Sequence, residues 1–235
     1  DDKKNINLLM EHIKISFPEI TSLLYVINQK ANNTMYDQDI ICFNGKDHII
    51  EEIDGLHFKI GAKSFFQTNS QQAKILYHKT KELAAITEND LVYDLYTGTG
   101  TIAQYVAKTA KKVVGIDSVE EGIQAAYKNA ELNNIENCTF YTGDMKEIFT
   151  DEFIAENGTP DVIITDPPRD GMHKKVVDQI LKIGARRIVY ISCNSATQAR
   201  DLSLMNNLYK ITQIQPVDMF PQTHHVENIV VLELK

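Results

Sequence analysis

Cysteine is scarce in this chain, occurring only at Cys42, Cys138 and Cys193 in 235 residues. Three scattered thiols offer neither a disulfide framework nor a CxxC metal pair, so a reducing compartment is expected. No apolar run approaches the 18 residues that a transmembrane helix requires. The opening DDKKNINLLM lacks the basic-then-apolar layout of a secretory signal. A cytoplasmic protein away from membranes is the expectation. Positive charge is also in short supply: 24 Lys and Arg against 32 Asp and Glu leave a formal net charge of −8. That balance disfavours bulk electrostatic clamping of nucleic acid, because phosphate neutralisation supplies most of such affinity. A local site or an appended basic module stays open. Internal repeats and low-complexity tracts are lacking too.

What is present reads as globular. Hydrophobic residues make up 43% and charged residues 24%, and a chain of this length buries about 70% of its unfolded surface. Residues 1–68 read as a small α+β lobe. A helix spans Asn5 to Ser16, closed by Phe17-Pro18, and a β-rich run follows from Thr21 to Asn28, ending at a turn over Ala31-Asn32-Asn33. Strands at 49–53 and 56–60 flank Asp54-Gly55, a dipeptide suited to a type I′ hairpin. Apolar spacing between Asn69 and Ala85 predicts a linker helix into a larger domain at 69–235. There, strands at 91–96, 112–117, 137–142, 161–165, 187–192, 211–217 and 227–234 alternate with helices at 101–109, 119–132, 173–183 and 196–206. Short, continuously apolar strands in such alternation predict an α/β, mostly parallel sheet covered on both faces. No helix separates the last two strands, which are expected to pair antiparallel at the edge.

Asp94-Leu-Tyr-Thr-Gly98-Thr-Gly100-Thr-Ile-Ala103 ends a strand and opens a helix, matching G-x-G-x-x-A, with Asp117 at the end of the next strand. Such a loop takes an adenosine cofactor. A dinucleotide would bring a pyrophosphate, which Asp94 would repel. S-adenosylmethionine carries an ammonium and a sulfonium, so Asp94, Asp117 and Asp144 at successive strand ends favour it. Asp166-Pro167-Pro168-Arg169 follows another apolar strand, and its two prolines stiffen the chain that presents Asp166 and Arg169. Amino methyltransferases carry an aromatic residue after the two prolines; Arg169 in that place counts against amine methylation. Ser192-Cys193-Asn194 lies between a strand and a helix N-terminus, a setting that activates a thiol. Cys42 and Cys138 have no such neighbours and read as structural. The His224-His225 pair suggests metal, but neighbours on an extended chain point apart and no third ligand stands at useful spacing, so no metal is expected. Glu227, an acid opening the last strand, is the candidate base.

These residues together resemble the RNA uracil-5-methyltransferases over about residues 58 to 235. The features occur in order: Phe65-Phe66-Gln67-Thr68-Asn69, the glycine loop, Gly115-Ile116-Asp117, Asp166-Pro-Pro-Arg169-Asp-Gly171, Ser192-Cys193-Asn194 and His225-Val-Glu227. The resemblance implies a Rossmann-like S-adenosylmethionine-dependent methyltransferase fold with a seven-stranded sheet, residues 1–68 being part of a central α+β lobe. It implies Cys193 as nucleophile and Glu227 as base. Gln67, Tyr96, Gly98, Gly100, Thr101, Asp117, Asp144 and Asp166 would line the cofactor site, and Arg169 would position the substrate. The family loop usually reads F-C-G-x-G, whereas here it is Tyr96-Thr97-Gly98-Thr99-Gly100; a proline usually following Cys-Asn is Ser195. Family members often carry an N-terminal RNA-binding β-barrel, and some a four-cysteine iron–sulfur site. This chain shows neither and reads as a fragment and as a monomer.

The implied reaction is methylation of C5 of a uridine in RNA, ribosomal before transfer RNA. Uracil C5 is a weak nucleophile, so a thiolate must add at C6 first, and a base must then remove the C5 proton. A stacked uridine would have to be flipped out to reach the thiol. Two other readings of the glycine loop are an NAD(P)-binding oxidoreductase and a catalytically silent S-adenosylmethionine-binding module.

Overall fold

The computed structural model describes residues 2–32, 35 and 37–235. Near the N-terminus lie α1 (Lys3–Ser16) and an antiparallel pair, β1 (Ser22–Val26) with β2 (Ile40–Gly45). Asp2 caps α1 by accepting from the Asn5 amide. Of the turn expected at residues 31–33, Asn33 falls outside the described residues. The hairpin β3 (His48–Ile53) and β4 (Leu56–Gly61) turns at Asp54 and Gly55, both at positive φ as a type I′ turn requires. Its apolar side chains Ile53, Leu56 and Phe58 are buried in the same cluster as Leu76 and Val106. Asn129 and Asn133 add hydrogen bonds to the backbone of Lys59 and His57.

Asn69 caps α2 (Ser70–Ala84), which leads into β5 (Leu91–Leu95), α3 (Thr101–Ala107), β6 (Lys112–Asp117), α4 (Glu120–Leu132) and β7 (Cys138–Thr142). Then come α5 (Met145–Ile148), α6 (Asp151–Asn157), β8 (Val162–Thr165), α7 (Lys174–Ile183), β9 (Arg187–Ser192), α8 (Ser195–Met205), β10 (Tyr209–Val217) and β11 (Glu227–Leu234). The seven-stranded sheet has the order β10-β11-β9-β8-β5-β6-β7. Strands β5 to β9 pair in parallel, while β11 inserts antiparallel between β9 and β10. The expected antiparallel pairing of the last two strands is therefore present, with β11 inside the sheet rather than at its edge.

Alternation along each strand sends side chains to two separate cores. Val92, Val113, Val162, Ile164, Val189 and Ile191 face one core, with α2, α3, α4 and the β3–β4 hairpin over it. Tyr93, Leu95, Val114, Ile116, Ile163 and Tyr190 face the other, which Phe153 of α6 and Val177 and Ile180 of α7 help to close. Burial on both faces explains why these strands read as unbroken apolar runs. Among the described residues no helix is long and apolar enough to cross a membrane.

The order of strands reverses between β5 and β8. Ligands in open α/β sheets bind at the carboxyl edge beside such a switch point. Because β11 is antiparallel, its first residue lies at that same edge: Asn228 pairs with Ser192, the last residue of β9.

Candidate active site

The loop from Tyr96 to Gly100 crosses that edge. Tyr96, Gly98 and Gly100 all have positive φ, so the chain turns sharply enough to start α3 at Thr101. At Gly100 a Cβ would lie 2.8 Å from the Ala126 Cβ and 3.0 Å from Phe140, so only glycine lets the loop pack on α4 and β7. Gly98 is the reverse case: a Cβ there would meet nothing within 4 Å, which leaves one side of the loop open. Its amide donates to the Asp117 Oδ2 at 2.9 Å, and Oδ1 accepts from Val119. Asp117 thus ties the glycine loop to the end of β6. Thr101 is buried, its hydroxyl 3.2 Å from that of Thr99.

Asp94 behaves differently from the expectation of an acid facing the ligand. It is only 1% exposed, beneath the loop, where its Oδ2 accepts from Thr97 Oγ1 at 2.6 Å and Ala103 N at 3.0 Å. Oδ1 has no partner. Burial pushes its pKa up to about 7, against the two hydrogen bonds that favour the charge. Asp144 is exposed, caps α5 and pairs with Lys146 at 3.0 Å, which holds its carboxyl below the usual range.

Asp166 follows β8 directly, and its amide donates to the Leu95 carbonyl, which sets it beside the glycine loop. Among the described residues its carboxyl has no side-chain hydrogen-bond partner, and it titrates well above the normal carboxylate range, through burial and the nearby charges of Glu227 and Asp94. Glu227 is half-buried; burial raises its carboxyl while the Arg169 guanidinium partly offsets this. Cys193, half-buried, stands one residue past β9 and just before Asn194, which caps α8 through the amides of Ala196 and Thr197. Gln67 is half-buried in the segment before α2. That segment is anchored by Asn69 Nδ2 donating to the Met219 carbonyl at 2.9 Å.

Contacts between these motifs and their neighbours fix the edge further. The Arg169 carbonyl accepts from Asn194 Nδ2 and Thr197 Oγ1. Buried Asp201 on α8 accepts from Met172 N, Tyr190 Oη and the Arg200 guanidinium, so the 166–172 loop is fastened at both Arg169 and Met172. Tyr77 of α2 reads in the sequence as one more apolar position, yet its phenol is held protonated by burial and the charges of Asp166, Asp94 and Glu227. The histidine pair also departs from expectation. His224 and His225 precede β11 in a turn rather than on an extended strand, so their rings lie on one side with centroids 4.1 Å apart. Of the remaining thiols, Cys42 is exposed on β2, and burial lifts Cys138 to about 12.

A family model described as tRNA (uracil-5-)-methyltransferase matches residues 28–235. The chain belongs to the tRNA (uracil-5-)-methyltransferase family. Relatives within reach include two proteins described as uncharacterized RNA methyltransferases. One, from Bacteroides thetaiotaomicron, is 60% identical over 97% of this chain and 50% of its own length. The other, from Enterococcus faecalis, is 42% identical over the same shares. The chain spans about half the length of these two relatives. Among solved structures, the Pyrococcus abyssi tRNA (uracil-54, C5)-methyltransferase in complex with S-adenosyl-L-homocysteine superposes with a TM-score of 0.79 and 34% identity, covering 93% of this chain and 52% of that one. The sheet is thus the Rossmann-like sheet of the S-adenosylmethionine-dependent methyltransferases.

Proposed function

We propose that the protein carrying this chain methylates C5 of a uridine in RNA, using S-adenosylmethionine and a covalent Cys193 adduct. The observation that supports this most is the convergence of Cys193, Asp166 and Glu227 with the glycine loop on one sheet edge. The residues present suit the cofactor: Gly98 leaves the loop open, and Asp117 sets a carboxylate rather than a cation beside it, which favours a sulfonium and an ammonium over a pyrophosphate. Gln67, Tyr96, Gly98, Gly100, Thr101, Asp117, Asp144 and Asp166 would hold it. When bound, S-adenosylmethionine supplies an electrophilic methyl group.

In this reading the Cys193 thiolate forms a bond to uracil C6 and moves the ring's electron pair toward C5, which is thereby made nucleophilic. Arg169 holds the substrate. After C5 is alkylated, Glu227 takes its proton; the electron pair re-forms the C5–C6 double bond and the thiolate leaves. Burial suits Glu227 to the role by raising its affinity for that proton.

The test is 5-methyluridine mapping in RNA from a strain lacking the gene, ribosomal RNA first and transfer RNA second. It is paired with methyl transfer by the full-length protein and its Cys193→Ala variant. Loss of one mapped site in the strain, and loss of transfer in the variant with cofactor affinity within a few-fold of the parent, is expected. Turnover by Cys193→Ala would refute the adduct.

A further inference from the structure

The turn before β11 and the N-terminal end of α8 enclose an open cleft of about 640 Å³ next to Cys193. Arg169, His224, His225, Asn194 and Asn228 contribute to its wall, and none of the described lining residues is acidic. In a chain of net charge −8 this is a local reversal of sign. One Arg169 Nη lies 2.9 Å from His225 Nδ1 and 3.2 Å from Nε2. Burial, His224 and Arg169 all lower the His225 pKa, which favours the neutral ring against the guanidinium. From the other side, Asn194 and Thr197 fix the Arg169 backbone. The positive end of the α8 dipole opens onto the same space. A guanidinium set in place by its own backbone ties, in a cleft beside a helix N-terminus, is chemistry for a tetrahedral anion.

We propose that this cleft seats a backbone phosphate of the RNA strand beside the target uridine, with Arg169 as its cation and His225 as the residue that positions Arg169. The inference rests on the RNA-methylating reading above and adds the place where the strand is gripped. It also supplies what the overall charge lacks, a local phosphate contact.

The experiment measures binding of a labelled single-stranded uridine-containing oligoribonucleotide to the full-length protein by fluorescence anisotropy across a salt series, so turnover is not needed. Each phosphate neutralised on a single strand contributes about 0.7 to the slope of log affinity against log salt. Arg169→Gln should lose about that much slope and weaken binding about tenfold, the scale of one charge-assisted hydrogen bond. His225→Ala should shift both quantities in the same direction. His225→Gln, which keeps an acceptor, should restore most of the loss. Arg169→Gln combined with His225→Ala should be no worse than Arg169→Gln alone. S-adenosylhomocysteine affinity should be unchanged in all four. An unaltered slope in Arg169→Gln, or equal losses in both His225 variants, overturns the proposal. If the slope changes as expected but the parent forms no 5-methyluridine, the reaction assigned above fails and the phosphate seat stands.

Discussion

Asp201→Ala should unfasten the loop that carries Asp166 and Arg169. The carboxylate is 1% exposed and accepts from Met172 N at 2.8 Å and Tyr190 Oη at 2.7 Å. Hydrogen bonds to a charged group are worth about 1.5–3 kcal/mol each, and alanine would leave both donors buried and unpaired. Together they come to about 3–6 kcal/mol. The Arg200 pair adds less, because that guanidinium is 52% exposed and solvent screens it to about 1 kcal/mol at most. Against a typical domain stability of 5–15 kcal/mol this is a severe loss. For a domain of this size it corresponds to a fall in Tm on the order of 10 °C. Thermal melting of parent, Asp201→Ala and Arg200→Ala, each in the full-length protein, tests the ranking. Arg200→Ala should move Tm by only a few degrees. Below its own midpoint, Asp201→Ala should also transfer methyl groups more slowly, since Met172 at the end of that loop loses its tie to α8. A Tm change under about 3 °C in Asp201→Ala would refute the reasoning, because it would mean the two buried donors find other partners.

Asp117→Ala should weaken S-adenosylhomocysteine binding roughly tenfold to a hundredfold in calorimetry, since it removes an acid expected to line the cofactor site and also frees the Gly98 amide; unchanged affinity would take Asp117 out of the site. The same titration with NAD⁺ should show no binding, and saturable NAD⁺ binding would revive the dinucleotide reading. Glu227→Gln should let thiolate addition and methylation proceed but block proton removal, leaving a heat-stable protein–RNA band on a denaturing gel that depends on Cys193; near-normal turnover without that band would move the base elsewhere. Asp94→Asn should become progressively more stable than the parent as pH rises from about 4 to about 7. The buried carboxyl keeps its proton up to about 7 in the fold, whereas the unfolded chain releases it near 3.9, so the stability it contributes is complete below the unfolded pKa and is lost as pH rises through the folded one. A constant Tm difference over that range would show that Asp94 is ionised in the fold.

The larger domain was legible in the sequence because the central strands of its sheet are buried on both faces. Val162 to Thr165 or Arg187 to Ser192 has to be apolar whichever core its residues face, so the run is visible without knowing the fold. The helices α5 and α6 escaped notice for the opposite reason. At four and seven residues they present no more than two turns, too little for a 3.6-residue period to show, although Thr150 before Asp151-Glu152 is a capping signal that would have marked α6. β2 is half-exposed and lacks a clear alternation, so its pairing with β1 leaves little trace in composition.

The site divides along similar lines. Cys193, Asp166 and Glu227 could be singled out because position relative to a strand end is a property of the local sequence. What each does beyond that depends on tertiary contacts. Whether Asp94 faces the ligand or lies beneath the loop turns on the positive φ values at Tyr96, Gly98 and Gly100, which fold the chain back over it. Where the family usually has cysteine, Thr97 supplies the hydroxyl that partly satisfies this buried carboxyl. The stacking of His224 on His225, and the seating of Arg169 against them, require the turn before β11 and a loop 56 residues earlier to meet. Motifs thus name the candidate reacting groups, while the residues that tie the surrounding loops in place, Asp201, Thr97 and His225 among them, follow from which strand ends the topology brings together.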